Sequence, residues 1–98
     1  MQTDTMNNSD HDLARDVVIV NKLGLHARSA AKIAHHAQRG KSKIWIIKDG
    51  NQADAASIID VLTLACEPGT TITIKIDDPA DLDILRNLVK LVESGFGE

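Results

Sequence analysis

The chain changes from a β-branched run to a helical pattern within one stretch, Val17-Val18-Ile19-Val20-Asn21-Lys22-Leu23-Gly24-Leu25-His26-Ala27-Arg28-Ser29-Ala30. This stretch predicts a strand from Val17 to Asn21 and a turn that ends at Gly24. A helix from Ala27 to Arg39, closed by Gly40, is predicted next. Its apolar residues recur at the spacing of one helical face: Ala30, Ile33, Ala34 and Ala37. His26 therefore stands at the expected N-cap.

A histidine and an arginine two residues apart, His26 and Arg28, lie at this helix start. A helix N-terminus offers unpaired N–H groups and a partial positive charge, so the amides of Ala27, Arg28 and Ser29 would face an anion held there. The Arg28 guanidinium would add donors suited to phosphate oxygens. Spacing alone leaves two interpretations open, a phosphate-binding site and a surface histidine that only caps the helix.

Patterns along the rest of the chain predict three more strands and two more helices. Asp49-Gly50 indicates a hairpin turn, and Ser57 and Asp78 are the expected helix caps. The expected buried residues are Ile58, Val61, Leu62 and Ala65 on the short helix, and Leu82, Leu85, Leu88, Val89 and Val92 on the last one. The predicted elements are strands at Lys43 to Lys48, Gln52 to Ala55 and Thr71 to Ile76, and helices at Ser57 to Ala65 and from Asp78 to about Ser94.

The resulting order of elements is βαββαβα, which places the chain in the α+β class. Because the strands alternate, one face of a four-stranded sheet should be covered, with all three helices on that face. The pattern leaves the strand order open, and a ferredoxin-like arrangement is the competing topology. Trp45 and Ile47 are expected on the open face, since Ile44 and Ile46 take the other.

Composition excludes several classes of function. At 98 residues with a net charge of −3 and no basic run, the chain is one small domain that is not expected to bind nucleic acid. Cys66 is the single cysteine, which excludes an internal disulfide and a Cys-pair metal motif. His35 and His36 point apart on a helix, so neither a metal nor a cofactor is expected. The partners should therefore be proteins.

The N-terminus and the hydropathy predict where the protein resides. No apolar stretch approaches the roughly 20 residues that span a bilayer, so no membrane insertion is expected. Met1 to Asp16 is polar and does not resemble a signal peptide, which predicts a cytoplasmic protein. Residues 1–15 are expected to form a mobile N-terminal extension, and residues 16–98 the folded domain.

Four segments of the chain form a recognisable set: Asn21-Lys22-Leu23-Gly24-Leu25-His26-Ala27-Arg28, Ala56-Ser57-Ile58-Ile59, Glu67-Pro68-Gly69-Thr70 and Leu91-Val92-Glu93-Ser94-Gly95-Phe96-Gly97-Glu98. They resemble segments of the histidine phosphocarriers of the HPr family, and the family's spacing is kept from Val17 to Glu98. The first and last resemble the nitrogen-related NPr branch and similar proteobacterial carriers more than the enteric sugar carrier. The resemblance implies an HPr-like open-faced sandwich with strand order 1-4-2-3 and antiparallel neighbours.

The resemblance also implies a function. His26 would accept a phosphoryl group on Nδ1 from phosphorylated Enzyme I and pass it to an EIIA-type acceptor, in sugar transport or in nitrogen or carbon regulation. Arg28 would stabilise the phosphoryl oxygens. The protein would be a monomeric component of a relay rather than a stand-alone enzyme. The alternative function is a regulatory binding module that depends on phosphorylation state, with little flux through it.

Ser29 is the main departure from the family pattern, because most relatives have proline at this position. Proline would preset φ in the first helical turn and would omit an N–H that has no partner within the helix. Serine restores that N–H, adds a hydroxyl and is expected to loosen the helix entry. The efficiency of transfer, rather than the identity of the nucleophile, should depend on this substitution.

The resemblance implies a second site on the short helix. Ser57 matches the serine that an HPr serine kinase/phosphorylase modifies in regulated relatives, although serine is also common at an N-cap for structural reasons alone. Ala56 replaces the lysine that precedes this serine in many of them. The residues that match the family's Enzyme I docking positions are Ile58, Ile59, Leu62 and Thr63, with Ile59 and Thr63 as the expected exposed pair.

Overall fold

The computed structural model describes residues 13–98, which form a four-stranded sheet with helices. The strands are β1 (Ala14–Val18), β2 (Ile44–Lys48), β3 (Asn51–Asp54) and β4 (Thr71–Ile76). The helices are α1 (Ala27–Ala37), α2 (Ile58–Leu62) and α3 (Leu82–Glu93), and short 3-10 turns occur at Pro79–Asp81 and Gly95–Gly97.

The strands lie in the order β1-β4-β2-β3, and every neighbouring pair is antiparallel. Ile46 lies opposite Ile74 on one side and Ala53 on the other, while Val17 lies opposite Ile72. The fold predicted from the family resemblance is therefore confirmed, and the ferredoxin-like alternative is wrong. The Asp49-Gly50 hairpin also forms, with both residues at the positive φ (50° and 82°) that a type I′ turn requires.

One apolar core fills the space between the sheet and the helices. β4 shows how its alternating sequence places this core: Ile72, Ile74 and Ile76 are buried, whereas Thr71 and Lys75 are exposed. These isoleucines belong to the same cluster as residues of α1 and α3, among them Ile33, Leu85 and Leu88. Removing this apolar surface from water is the main term that favours the folded state.

The opposite face of the sheet is open, as predicted for Trp45 and Ile47, which are both half-buried. Trp45 makes local contacts there. Its Nε1–H donates to Asp77 Oδ2 at 3.1 Å, and the Lys43 ammonium lies 5.9 Å from the centre of its ring. These contacts are those of an amphipathic side chain packed against its own sheet.

The first strand starts three residues before the predicted Val17. β1 pairs Ala14 with Lys75 and Val18 with Thr71, so Ala14 and Arg15 lie in the sheet rather than in the predicted N-terminal extension. The remainder of that extension, up to residue 12, lies outside the described residues. The prediction missed this start because β1 is an edge strand whose Arg15 and Asp16 are exposed, which removes the apolar signal.

Helix ends also differ from the prediction. α1 ends at Ala37, and its C-cap is Gln38, which keeps right-handed helical angles, so Gly40 does not cap the helix. Glycine fits at position 40 because of close packing: a Cβ there would lie 3.1 Å from Ile44 Cδ1 and 3.2 Å from Asp81 Oδ2. Buried Asp81 accepts hydrogen bonds from the amides of Lys41 and Ser42 at 2.9 and 3.1 Å.

The short helix α2 is shorter than predicted, and its buried face is different. Only Val61 of the four expected residues is fully buried; Ile58 is 37% exposed, and Leu62 is half-buried. Ala65 lies beyond the helix at a left-handed φ of 51°, and Leu64 occupies the core instead. A five-residue helix is too short to maintain one apolar stripe, so the chain that follows it completes the burial.

Asp78 is a cap as predicted, but of the 3-10 turn at Pro79–Asp81, and its Oδ1 accepts from the Ala80 amide at 2.9 Å. The last helix itself begins at Leu82, later than predicted. A single 3-10 turn with Pro79 precedes α3. The predicted apolar face is buried except for Leu82, which is half-buried: Leu85, Leu88, Val89 and Val92. Within residues 13–98, no helix is long and apolar enough to cross a bilayer, and no cluster of three metal-ligating side chains occurs.

Candidate phosphoryl-transfer site

A tight turn between β1 and α1 brings the predicted site to one end of the sheet. The Gly24 amide donates to the Asn21 carbonyl at 3.1 Å, and the Leu25 amide donates to the Cys66 carbonyl at 2.9 Å. Gly24 has a φ of +67°, and a Cβ there would overlap the Cys66 carbonyl oxygen and lie 3.1 Å from Glu67 Cα. Glycine is therefore required at this position both by backbone conformation and by close approach.

Cys66 forms part of the support beneath this turn. Its side chain is buried, and burial raises the pKa of its thiol. A buried thiol that stays protonated is a poor nucleophile, so Cys66 contributes packing and a backbone acceptor rather than chemistry.

His26 is the N-cap of α1, as predicted, with extended backbone angles (φ −129°, ψ −177°). Its carbonyl accepts the first helical hydrogen bond, from the Ala30 amide at 2.8 Å. Its Nδ1 accepts from the Arg28 amide at 3.3 Å. An amide N–H can only donate, so this contact requires a lone pair on Nδ1.

The environment of His26 contains the predicted anion-binding groups. The amides of Ala27, Arg28 and Ser29 occupy the first turn of α1, where amides lack acceptors within the helix. An open recess of about 530 Å³ adjoins the ring and is lined by Leu23, His26, Ala27, Arg28 and Glu98. The arrangement provides a nucleophilic nitrogen, backbone donors and one guanidinium around space that a phosphoryl group could enter.

Ser29 makes hydrogen bonds at the helix entry through the hydroxyl that proline lacks. The side chain is fully buried. Its hydroxyl accepts from the His26 amide at 2.9 Å and lies within donating distance of the Gly24 and His26 carbonyls, at 3.2 and 3.1 Å. A serine at the third helical position thereby satisfies the amide of the N-cap residue, in the manner of a capping box.

We expect Ser29→Ala to lower the free energy of unfolding by about 0.5–2 kcal/mol, the usual effect of losing a cap hydrogen bond. Ser29→Pro loses the same hydroxyl but restricts the conformations of the unfolded chain. That restriction raises the free energy of unfolding by roughly 0.4–1 kcal/mol where the native backbone suits proline. Proline should therefore be the milder substitution. Urea unfolding of the two variants and the wild type would measure both effects, and an alanine variant as stable as the wild type would contradict this role for the hydroxyl.

Two residues that sequence reasoning did not assign to the site, Glu98 and Asn21, contact it. Glu98 Oε2 lies 2.9 Å from His26 Nε2, and Asn21 Nδ2 donates to Glu98 Oε1 at 3.2 Å. The hydrogen bonds from His26 and Asn21 lower the pKa of the Glu98 carboxyl. The available signal was Gly95-Phe96-Gly97, because glycines around an aromatic residue permit the reversal that returns the chain to the site.

The structure places Ser57 at the N-cap of α2, where its Oγ accepts from the Asp60 amide at 3.2 Å. Ile59 and Thr63, the expected exposed pair, are both exposed, and Ile59 retains 77% of its accessible surface. Leu23, which lines the recess beside His26, is also 67% exposed. Within residues 13–98 no hydrogen bond links Ser57 directly to His26, Arg28 or Glu98.

Known proteins similar to this chain occur among family models, curated sequences and solved structures. The family model described as the PTS HPr component phosphorylation site matches residues 13–94. The phosphocarrier protein HPr of Cupriavidus necator is 41% identical over 88% of this chain and 97% of its own, and the phosphocarrier protein NPr of Shewanella violacea is 40% identical over 88% and 94%. The crystal structure of HPr-C-His from Thermoanaerobacter tengcongensis superposes with a TM-score of 0.81 at 34% identity, covering 87% of this chain and 96% of that one.

Proposed function

Since this chain belongs to the HPr family of phosphocarriers of the phosphotransferase system, we propose that His26 is its phosphoryl acceptor, with Nδ1 as the reacting atom. The observation that supports this assignment most strongly is the Arg28 amide N–H directed at Nδ1 over 3.3 Å. That contact marks Nδ1 as the nitrogen with the lone pair. It also places a backbone donor beside the atom that would bind phosphorus.

The proposed cycle has two transfers. In the first, the Nδ1 lone pair attacks the phosphorus held by phosphorylated Enzyme I, and the bond between that phosphorus and Enzyme I breaks. In the second, an EIIA-type acceptor attacks the same phosphorus, and the bond to His26 breaks. A nitrogen–phosphorus bond retains a high transfer potential, so the carrier can release the group to the next protein.

Arg28 and the first-turn amides have a complementary role in both transfers. A transferring phosphoryl group spreads negative charge over its oxygens, and fixed donors stabilise that charge without reorganising. The amides of Ala27 and Arg28 are fixed by α1, whereas the Arg28 guanidinium is carried on a long side chain that can follow the group. We therefore assign the amides to binding the phosphoryl group and the guanidinium to stabilising its charge.

Chemical stability of the product tests this proposal. The protein is incubated with Enzyme I and phosphoenolpyruvate, and the modified peptide is mapped. We expect one phosphoryl group on the peptide that contains His26, lost in acid and retained in base, as a phosphohistidine behaves. A product stable in acid would be a phosphate ester on a hydroxyl side chain and would overturn the assignment.

We further propose that Enzyme I docks on the exposed apolar side chains of α2, with Ile59 at the centre. The exposed side chains here are two isoleucines, Ile58 and Ile59, and the polar Thr63. Leu62 is half-buried. Leu23 adds a third exposed apolar side chain, which lies beside His26. Exposed apolar groups of this kind mark contact surfaces more often than they contribute to the stability of a monomer. The protein would work as a cytoplasmic monomer, in the same compartment as Enzyme I.

Ser57 is our proposed regulatory position on that surface, and Ser57→Asp should weaken binding to Enzyme I. A negative group at this N-cap is compatible with the helix dipole, so the domain should stay folded. The dissociation constant should rise by roughly three- to tenfold, because the added charge lies beside the proposed docking residues. Titration calorimetry with Enzyme I would measure this change.

Asn87→Asp is the matched control for that experiment, since Asn87 is exposed on α3 and the substitution adds the same charge. It should leave Enzyme I binding unchanged. Equal affinities for Ser57→Asp and the wild type would leave Ser57 as an ordinary helix cap. That outcome would also remove the main support for the regulatory function as an alternative to carriage.

A further inference from the structure

The geometry points to Glu98 as a positioning residue for phosphoryl transfer, held by Asn21 and acting through the far side of the His26 ring. We propose that its carboxylate keeps a proton on Nε2 and balances the positive charge that the ring acquires when Nδ1 binds phosphorus. This inference rests on the proposed role of His26 and extends it to two residues outside the His26-Ala27-Arg28 segment.

The contacts of the imidazole select one tautomer from both sides. Glu98 Oε2 lies 2.9 Å from Nε2, and an ionised carboxylate can only accept, so Nε2 must carry a hydrogen. The Arg28 amide can only donate, so Nδ1 must carry the lone pair. Both contacts therefore favour the same form of the ring, with the nucleophilic nitrogen directed at the helix N-terminus.

Asn21 orients the carboxylate at a cost to its own hydrogen bonding. Only 5% of Asn21 is exposed, and its amide nitrogen donates to the Gly24 carbonyl at 2.8 Å and to Glu98 Oε1 at 3.2 Å. Its Oδ1 is buried and has no hydrogen-bond partner within residues 13–98. A buried oxygen without a hydrogen-bond partner lowers the stability of the fold. The Asn21 amide group is therefore better explained by the two acceptors that it holds in place, the Gly24 carbonyl and Glu98 Oε1.

One residue, Phe96, adopts an uncommon backbone conformation in the turn that brings Glu98 to the ring. Gly95, Phe96 and Gly97 all have positive φ, at 68°, 60° and 74°. Phe96 is buried, and the Lys32 ammonium donates to its carbonyl. A left-handed conformation at an aromatic residue is uncommon and persists only when surrounding contacts impose it. The Gly95–Gly97 turn is thus a built feature rather than a frayed helix end.

The proposed step balances without a proton leaving the site. The Nδ1 lone pair forms the bond to phosphorus while the electron pair of the breaking bond returns to Enzyme I. Nε2 keeps its hydrogen, so the ring becomes a cation facing the Glu98 carboxylate. When the acceptor takes the phosphoryl group, the electron pair of the nitrogen–phosphorus bond returns to Nδ1, and the ring becomes neutral again.

Glu98→Gln tests this role, with Glu93→Gln as the matched control. Glutamine retains the size of the side chain but removes the charge, and it can donate or accept, so it no longer selects a tautomer. Glu93 is exposed on the last turn of α3, so its variant makes the same charge change away from the ring. The measurements are the ¹⁵N shifts of the His26 ring in the unphosphorylated protein and the rate of phosphoryl transfer from Enzyme I.

We expect the wild type and Glu93→Gln to show the Nε2–H tautomer almost alone. Glu98→Gln should show a larger share of the Nδ1–H tautomer, because only the Arg28 amide then disfavours that form. Transfer by Glu98→Gln should be slower by roughly three- to tenfold, because a charge-assisted hydrogen bond is replaced by a neutral one in a partly exposed site. Unchanged ring shifts and an unchanged rate would overturn the inference while leaving the phosphocarrier function intact. A slower rate with unchanged shifts would overturn the role of Glu98 in selecting the tautomer, since only the balancing of charge on the phosphorylated ring would then depend on its carboxylate.

A second variant tests whether the Glu98 carboxylate must be oriented by Asn21 or whether its negative charge near the His26 ring is sufficient. Asn21→Ala removes the amide that holds Oε1 but leaves the Glu98 carboxylate present, so the ring shifts should move partway towards those of Glu98→Gln. Shifts identical to the wild type would show that Glu98 needs no orienting partner. Failure of the wild type itself to carry phosphate on His26 would overturn the proposed function, a result distinct from each of these.

Discussion

His26→Ala should accept no phosphoryl group from Enzyme I and phosphoenolpyruvate under conditions in which the wild type is fully modified. The expected effect is complete because, within residues 13–98, His26 is the histidine whose ring nitrogen accepts a hydrogen bond from the first turn of α1. Radiolabel transferred from phosphoenolpyruvate and retained after base treatment would measure the product. Circular dichroism of the variant would show that the fold persists.

His35→Ala is the matched control for this loss. His35 lies on the same helix, and it is exposed, so its removal changes the histidine content without touching the site. This variant should be phosphorylated like the wild type. Base-stable label on His26→Ala would place the acceptor elsewhere, and the neighbouring histidines His35 and His36 would be the first positions to map.

The largest stability effect should come from Gly24→Ala. Two penalties combine at this position, the left-handed φ of +67° and the overlap of a new Cβ with the Cys66 carbonyl. Together they should lower the free energy of unfolding by about 2–5 kcal/mol, which is a large fraction of the stability of a small domain. The thermal midpoint should fall by about 10 °C or more.

Gly50→Ala separates these two penalties, because Gly50 has a φ of +82° but no atom within 4 Å of the position its Cβ would take. This variant should lose only the conformational part, about 1–2 kcal/mol. Equal losses at the two positions would show that the Cys66 backbone moves aside at no cost. The turn would then be softer than its contacts with the 66–67 segment suggest.

Features set by neighbouring residues could be predicted from the sequence. β4 has the predicted bounds, Asp49-Gly50 forms its turn, and Ser57 and Asp78 are caps. Each depends on rules that act over a few residues. β1 was misplaced because its polar edge residues depend on pairing with β4 for their place in the sheet, and the α2 face was wrong because tertiary packing decides which side of so short a helix is buried.

The same distinction applies to the site. His26 and Arg28 are two residues apart on one helical turn, so their relation to the helix N-terminus follows from local pattern. Glu98 is separated from His26 by 72 positions, and the chain reversal at Gly95–Gly97 that joins them has no periodic signal. Ser29 was visible as a departure from the family, but the direction of its hydroxyl follows from the turn at Gly24 rather than from its own position.

The thiol of Cys66, which lies beneath the site, can report on local opening of the segment that supports the turn before His26. Cys66 is buried, and its carbonyl supports the Leu25 amide in the turn that leads to His26. A small thiol reagent can therefore react only when this segment separates from the core, and its reaction rate would follow the population of that open form. Binding of a partner, or phosphorylation of the His26 ring, could thus be followed as a slower reaction of the Cys66 thiol with this reagent, although neither event involves the thiol itself.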